Sequence, residues 1–360
     1  MVVAAPGTSA EPLHRPTVEA TEWSLFTERF LADDGRVIDR EKGLSSHSEG
    51  QGYGMLLAVA ANDRDAFDRM HAFAVREMDG RADHLVSWLW DPHRSPRIAD
   101  PNNASDGDIL IAYALVRAAL AWGEPRYLVA ADAMIDDIGR LLVGRHGGRI
   151  ILRPAAFGFE EGQHEDGPVV NLSYWVYGAF PLFEVVRPEY PWRELVRDGL
   201  ALKEAARANG PGLAPDWITL RADRRYQPAR GHRPWSSYDA IRIPLYMLMS
   251  GGEVPARHLA PFDRAWNLRG NGTPLAFDLS RGMADHEMRD PGYRAIAALV
   301  ACAVRGEPLP ASLQRFRPTT YFASTLHLLA LSTARENFPA CVAPVGTILA
   351  ANGAQPGAAR

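Results

Sequence analysis

Ser48-Glu49-Gly50-Gln51-Gly52-Tyr53-Gly54-Met55 sets one carboxylate among three glycines and a tyrosine, and runs straight into the apolar series Met55, Leu56, Leu57 and Val59. The apolar spacing predicts a helix over 53–61. Glycines carry no Cβ, so the stretch before that helix is expected to turn tightly and to approach a bound molecule closely. Asn62-Asp63 then caps another helix, with Phe67, Met70, Phe73 and Ala74 on one face. The stretch therefore opens a helical hairpin. Its lone acid has two readings. In one, Glu49 sits on a solvated loop. In the other, the apolar helix behind it strips away water, raises its proton affinity and makes it a proton donor.

The same pattern continues outward. Trp23, Phe26, Phe30 and Leu31 mark an earlier helix, ended by Asp34-Gly35. Helical spacing recurs over 106–122, 127–142, 171–186, 192–208, 237–250, 257–268, 293–304 and 321–334. Three turns are alike: Asn62-Asp63-Arg64, Gly123-Glu124-Pro125 and Arg187-Pro188-Glu189. Each closes one helix and opens another whose first turn carries an aromatic, namely Phe67, Tyr127 or Trp192. At that spacing, about six hairpins fill the chain, which predicts a closed ring of helix pairs in one domain. Residues 1–18 are expected to be a flexible leader and 336–360 an Ala/Gly-rich tail, with the globular domain over 19–335. A short extended hairpin is expected over 149–153. The Gly/Pro-rich stretches 90–105, 144–168, 210–234 and 271–291 are too long to be idle connectors, and they hold much of the Trp, Asp and His.

Composition narrows the function. With 47% apolar and 23% charged residues the 360-residue chain has an ordinary globular balance. A formal charge of −4 offers no basic field for nucleic acid. No apolar run reaches the length of a membrane span. The first residues lack the basic and long apolar regions of a complete secretory signal. Cys302 and Cys341 are too few for a disulfide framework; two buried thiols are the favoured reading, and one bridge the alternative. With eleven scattered histidines and no CxxC or HExxH, neither a metal site nor a cofactor is expected.

Two further acidic clusters precede helices. In Ala104-Ser105-Asp106-Gly107-Asp108, one side chain suffices as N-cap, which leaves an acid free to face a cleft with its charge favoured by the helix terminus. In Ser236-Ser237-Tyr238-Asp239-Ala240-Ile241-Arg242, Asp239 falls three residues before Arg242. That is either a surface pair or a carboxylate kept ionised to accept a proton from water. One acid suited to hold a proton and two suited to stay ionised are the minimum equipment for glycoside hydrolysis. Indoles beside the loops (Trp88, Trp90, Trp217, Trp235), with Tyr174 and Trp175 after Asn171, would suit pyranose faces. Asp108, Asn171, Asp216 and Arg242 would suit hydroxyls. Core packing is the competing account of each indole.

Together, these three motifs resemble glycoside hydrolase family 8, in particular the endoglucanases encoded with bacterial cellulose synthases. Ala112-Tyr113-Ala114-Leu115 and Trp122, Gly35-Arg36-Val37-Ile38-Asp39, Trp88-Leu89-Trp90 and Ala214-Pro215-Asp216-Trp217 fit as well. The resemblance implies an all-α (α/α)6 barrel and an inverting endo-β-1,4-glucanase that needs no metal. It implies Glu49 as proton donor, Asp239 as general base, and Asp106 as the acid of the family signature, holding the sugar at the point of cleavage. Tyr53, Trp90, Asp108, Tyr174, Trp217, Tyr238 and Arg242 are the expected substrate contacts. The implied partner is a β-1,4-glucan, with the cellulose synthase export machinery beside it, and the implied location is periplasmic or secreted. Chitosan or xylan hydrolysis on the same fold, and a non-catalytic glucan-binding component, are the competing readings.

Overall fold

The computed structural model describes residues 15–207, 211–221 and 226–342. The expected leader over 1–18 and tail over 336–360 lie largely outside these residues. Among them are eleven α-helices: α1 (Ala20–Phe30), α2 (Ser48–Ala61), α3 (Arg64–Glu77), α4 (Ser105–Trp122), α5 (Pro125–Asp137), α6 (Phe180–Val186), α7 (Trp192–Ala205), α8 (Arg242–Leu248), α9 (Ala260–Trp266), α10 (Pro291–Arg305) and α11 (Tyr321–Asn337). Short strands join them: β1 (Ser46–His47) with β2 (Leu89–Trp90), β3 (Val143–His146) with β4 (Arg149–Leu152), and the three-stranded orders β5 (Val169–Asn171), β6 (Trp217–Leu220), β7 (Tyr226–Pro228) and β10 (Met283–Glu287), β9 (Leu275–Asp278), β8 (Trp235–Ser236). All pairings between them are antiparallel. The hairpin expected over 149–153 is the β3–β4 pair.

Charge placement separates inner helices from outer ones. No charged residue follows Glu49 in α2, and none lies between Asp108 and Arg117 in α4. Both are buried on nearly every side, as are α8 and α11. Helices apolar all round are stable only inside a protein. By contrast, α1, α3, α5, α7 and α10 bury one face and form the outside. The packing is cyclic: α2 lies on α4, α4 on α6, α8 on α10 and α11, and α11 returns to α2. The 3-10 turn Leu172–Tyr174 bridges α4 and α8.

The turns explain how neighbouring hairpins lock. Asn62 ends α2 in the left-handed conformation at φ 59°, and Gly123 ends α4 in the same way at φ 66°. Asp63 caps α3 by accepting from Ala66 N and also accepts from Trp23 Nε1 at 2.8 Å. Trp122 Nε1 donates to Asn62 Oδ1 at 2.8 Å, so the end of α4 is tied to the end of α2. The first-turn aromatics meet edge-on, with the Phe67 and Tyr127 centroids 5.1 Å apart.

Several helices begin elsewhere than the periodicity predicts. The expected helices over 171–186, 237–250 and 257–268 each contain a proline, and the observed α6, α8 and α9 start one or two residues before Pro181, Pro244 and Pro261. Proline lacks the N–H that a helix interior needs but is harmless in the first turn. The residues ahead of α6 instead form β5 and the 3-10 turn, and Asp239 stands in a turn before α8. In the opposite direction, α2 starts at Ser48, five residues earlier than predicted, and Glu49 lies in its first turn.

Helix geometry runs through the glycines of α2 because its neighbours occupy the space their side chains would take: Tyr321 at Gly50, α4 at Gly52, Met70 at Gly54. A Cβ on Gly52 would come within 2.5 Å of Leu110 Cβ, and one on Gly107 within 2.1 Å of Ser48 Oγ. Burial of the α2–α4 contact outweighs the ~1 kcal/mol that each helical glycine costs. Replacing Gly107 by Ala therefore pries the two helix starts apart. The expected result is a loss of about 1–3 kcal/mol in urea melts, with a fall in activity larger than the lost fraction folded, because Glu49 and Asp106 flank the contact.

The cysteines are not the two thiols that composition favours. Cys302 on α10 and Cys341 beyond α11 form a disulfide, with Cα atoms 5.9 Å apart and 39 residues of separation. Their pairing depends on how α10 folds back on α11, which spacing alone does not reveal. Cys302→Ser is expected to lower unfolding free energy by about 3–4 kcal/mol, from the entropy of a loop this long. A denaturation midpoint equal to that of the unaltered chain contradicts this.

Candidate active site

The inner helices α2, α4, α8 and α11, joined by the outer α10, point their N-termini into one cleft of about 510 Å³, within the range of ligand pockets. Ser48 and Glu49 come from the start of α2, Asp106 from α4, Arg242 from α8, Tyr293 from α10, and Tyr321 and Phe322 from α11. Asp39, His47, Trp88, Tyr174, Tyr238 and Asp239 also face it. Backbone N–H groups at helix starts favour negative charge, which suits a cleft lined with carboxylates.

Arg242 organises the acids. Its Nη1 donates to Glu49 Oε1 and, at 2.9 Å, to Asp106 Oδ2. Its Nη2 donates to Asp239 Oδ1 at 3.0 Å and to Ser173 Oγ at 2.7 Å. The Arg242 side chain is 4% exposed and remains charged, since the surrounding acids outweigh the effect of burial. Removing the cation would leave buried carboxylates unpaired, at a cost of about 3–5 kcal/mol. With every acid ionised the cluster is net negative, so one of them is favoured to keep a proton.

The three acids differ in access to water. The Asp106 side chain is 4% exposed, Glu49 18% and Asp239 36%. Burial pushes the Asp106 carboxyl up; Arg242 and the Gly107 N–H pull it back, and Glu49 and Asp239 push with burial. The ionised Asp106 expected from its helix terminus is thus opposed by its burial. Asp239, the most open of the three, is also the most firmly aimed. Its Oδ2 accepts from Asn171 Nδ2 at 3.1 Å and Trp217 Nε1 at 3.0 Å. The turn that carries it is held by Asp216, which accepts from Ser237 N at 2.8 Å, Ser237 Oγ at 2.6 Å and Ala240 N at 2.9 Å.

Glu49, Asp106, Asp239, Tyr174, Tyr238 and Arg242 come together as the motifs predict. Four other expected contacts do not face the cleft. Tyr53 is fully buried behind Glu49. Trp90 packs edge-on against Phe73, with the Arg36 and Arg97 guanidiniums 4.7 and 4.8 Å from its ring. Trp88, two residues earlier, takes the cleft position. Asp108 is sealed in the core, where it accepts from Val86 N at 3.0 Å and Asn103 Nδ2 at 2.7 Å; burial pushes it up to about 7. Trp217 stacks on His232 at 4.4 Å and gives its N–H to Asp239, so it holds an acid rather than offering a free face. Asn171 and Asp216, candidates for sugar hydroxyls, likewise hold the Asp239 turn. Sequence reasoning missed His47, Ser173, Tyr293 and Phe322. The available signal was position: His47 directly precedes the opening motif, and Tyr293 and Phe322 lie in the first turns of helices, as Glu49 and Asp106 do.

The sequence model of the family described as glycosyl hydrolases family 8 matches residues 10–336. A probable endoglucanase of Novacetimonas hansenii is 36% identical over 337 residues, covering 93% of this chain and 96% of its own. Two solved structures superpose with a TM-score of 0.80. An endoglucanase from Klebsiella pneumoniae, a family 8 glycosyl hydrolase, is 34% identical and covers 88% of this chain and 99% of its own. An endo-β-1,4-glucanase from Acetobacter xylinum is 35% identical and covers 90% and 99%.

Proposed function

The chain belongs to glycosyl hydrolase family 8, and on that footing we propose that its cleft cuts internal β-1,4-glucosidic bonds of a glucan chain with inversion at the anomeric carbon. The observation that carries the reading is the single guanidinium of Arg242 joining a sheltered acid, Glu49, to an acid open to water, Asp239. Endoglucanase is also the name borne by the relatives that match most of the chain.

Glu49 gives its proton to the glycosidic oxygen as the C1–O bond breaks. A water molecule on the other face of the ring forms the new bond to C1, and Asp239 takes the proton that water loses. Asp106, too enclosed to reach that water, holds the sugar at the point of cleavage and shares Arg242 with the other two acids. Exchange with solvent returns the proton from Asp239 to Glu49. Trp88 and Tyr238 supply ring faces on which pyranoses stack. The disulfide supports the placement of the enzyme outside the cytoplasm, where such bonds persist.

The test is the anomeric form of the first product, read by proton NMR within the first turnovers on cello-oligosaccharides. The expected product is the α-anomer; a β-anomer overturns inversion. Reducing-end release should be greatest from carboxymethylcellulose. Greater release from chitosan or xylan would move the substrate assignment within the same fold.

A further inference from the structure

Tyr53 lies one helical turn past Glu49 on α2, and its hydroxyl donates to Glu49 Oε1 at 3.2 Å. A tyrosine hydroxyl has a single proton. With that of Tyr53 directed at Glu49, the 2.5 Å contact between the Tyr53 and Tyr246 hydroxyls is Tyr246 donating to Tyr53. The arrangement is a buried chain, Tyr246 to Tyr53 to Glu49, in which each donor polarises the next. Glu49 Oε1 also accepts from Arg242 Nη1. Two donors aimed at one oxygen exclude a proton there and leave Oε2 to carry it.

We propose that Tyr53, backed by Tyr246, is a positioning residue that fixes the transferable proton of Glu49 on Oε2 and eases its release. The inference rests on the reading of Glu49 as proton donor. Tyr53 is not a sugar contact: it is fully buried and does not face the cleft. Burial, with Glu49 next, pushes the Tyr53 phenol well above its ordinary range, and burial likewise pushes up Tyr246, so both stay neutral donors wherever the enzyme works. The groups facing Glu49 are Tyr53 from α2, Asp106 from α4, Tyr174 from the 3-10 turn, Arg242 and Tyr246 from α8, Asp239 from the turn before α8, and Tyr321 from α11. Of these, only Arg242 and Tyr53 donate hydrogen bonds to the carboxyl among the described residues. A donor on the ionised form stabilises it and makes the group a stronger acid.

Tyr53→Phe keeps the ring and removes the donor. The expected result on cello-oligosaccharides is a fall in kcat on the order of tenfold, the worth of one hydrogen bond to a charged group, with KM within about twofold. Since Glu49 acts protonated, the alkaline limb of the pH–rate profile moves up by about half to one pH unit. Tyr246→Phe, which deprives Tyr53 of its incoming donor, moves the limb the same way by less. Tyr177→Phe removes another buried hydroxyl, one with no partner and outside the cleft, and should leave both kcat and the limb in place. A Tyr53→Phe enzyme that melts near the unaltered protein but keeps its alkaline limb overturns the proposal. Should that variant fold poorly, an unmoved limb in Tyr246→Phe overturns it instead. If Glu49→Gln itself retains activity, the reading of Glu49 is what has failed; if Glu49→Gln is inert and the limb still does not move, only the role of Tyr53 has failed.

Discussion

Glu49→Gln lowers kcat on soluble cellulose chains by on the order of 10³-fold while leaving KM within about threefold, because proton donation by a placed side chain contributes about 10²–10⁴ to rate. The amide keeps an oxygen for Arg242 and Tyr53, so the surrounding helices have no reason to move. It has no proton to give to a poor leaving group. An aryl cellobioside whose phenolate leaves unaided does not need that proton, and on it the variant should lie within about tenfold of the unaltered enzyme. Equal losses on both substrates would mean that Glu49 serves something other than proton donation.

Asp239→Asn is expected to be just as damaging but to differ in kind. The base must take a proton from water whatever the leaving group is, so the loss, on the order of 10³-fold or more, should be the same on cellulose chains and on the activated aryl glycoside. Asparagine keeps an oxygen for Arg242 or for the Trp217 and Asn171 donors, but not a charge that can accept a proton. The acidic limb of the pH–rate profile should flatten, because the group that must be ionised is gone. Full recovery on the aryl substrate would show that Asp239 is not the base.

These effects trace back to how helix starts are arranged. The three acids were legible because each precedes an apolar helical run, and Arg242 because it follows Asp239 by three residues. The closed ring was legible from turns that begin at residues 62, 123 and 187. Which of two neighbouring candidates faces the cleft was not. Trp88 and Trp90 lie two apart beside β2, yet one meets the cleft and the other is held between arginines. Asp106 and Asp108 lie two apart on α4, and about 200° of helical rotation sends the second into the core.

The proline-marked helix starts at Phe180, Arg242 and Ala260 were written in the chain, since the missing N–H acts locally. So were the outer faces of the amphipathic helices and the uncharged bodies of α2 and α4. The cluster itself depended on the ring closing. Glu49 and Arg242 are 193 residues apart, as are Tyr53 and Tyr246. Cys302 meets Cys341 only because α10 lies on α11. Local sequence determines what a segment can become, because capping, proline and periodicity act within a turn or two. Which side chains share a proton, a guanidinium or a sulfur bond is decided where distant helix ends converge, because those energies exist only at contact distance.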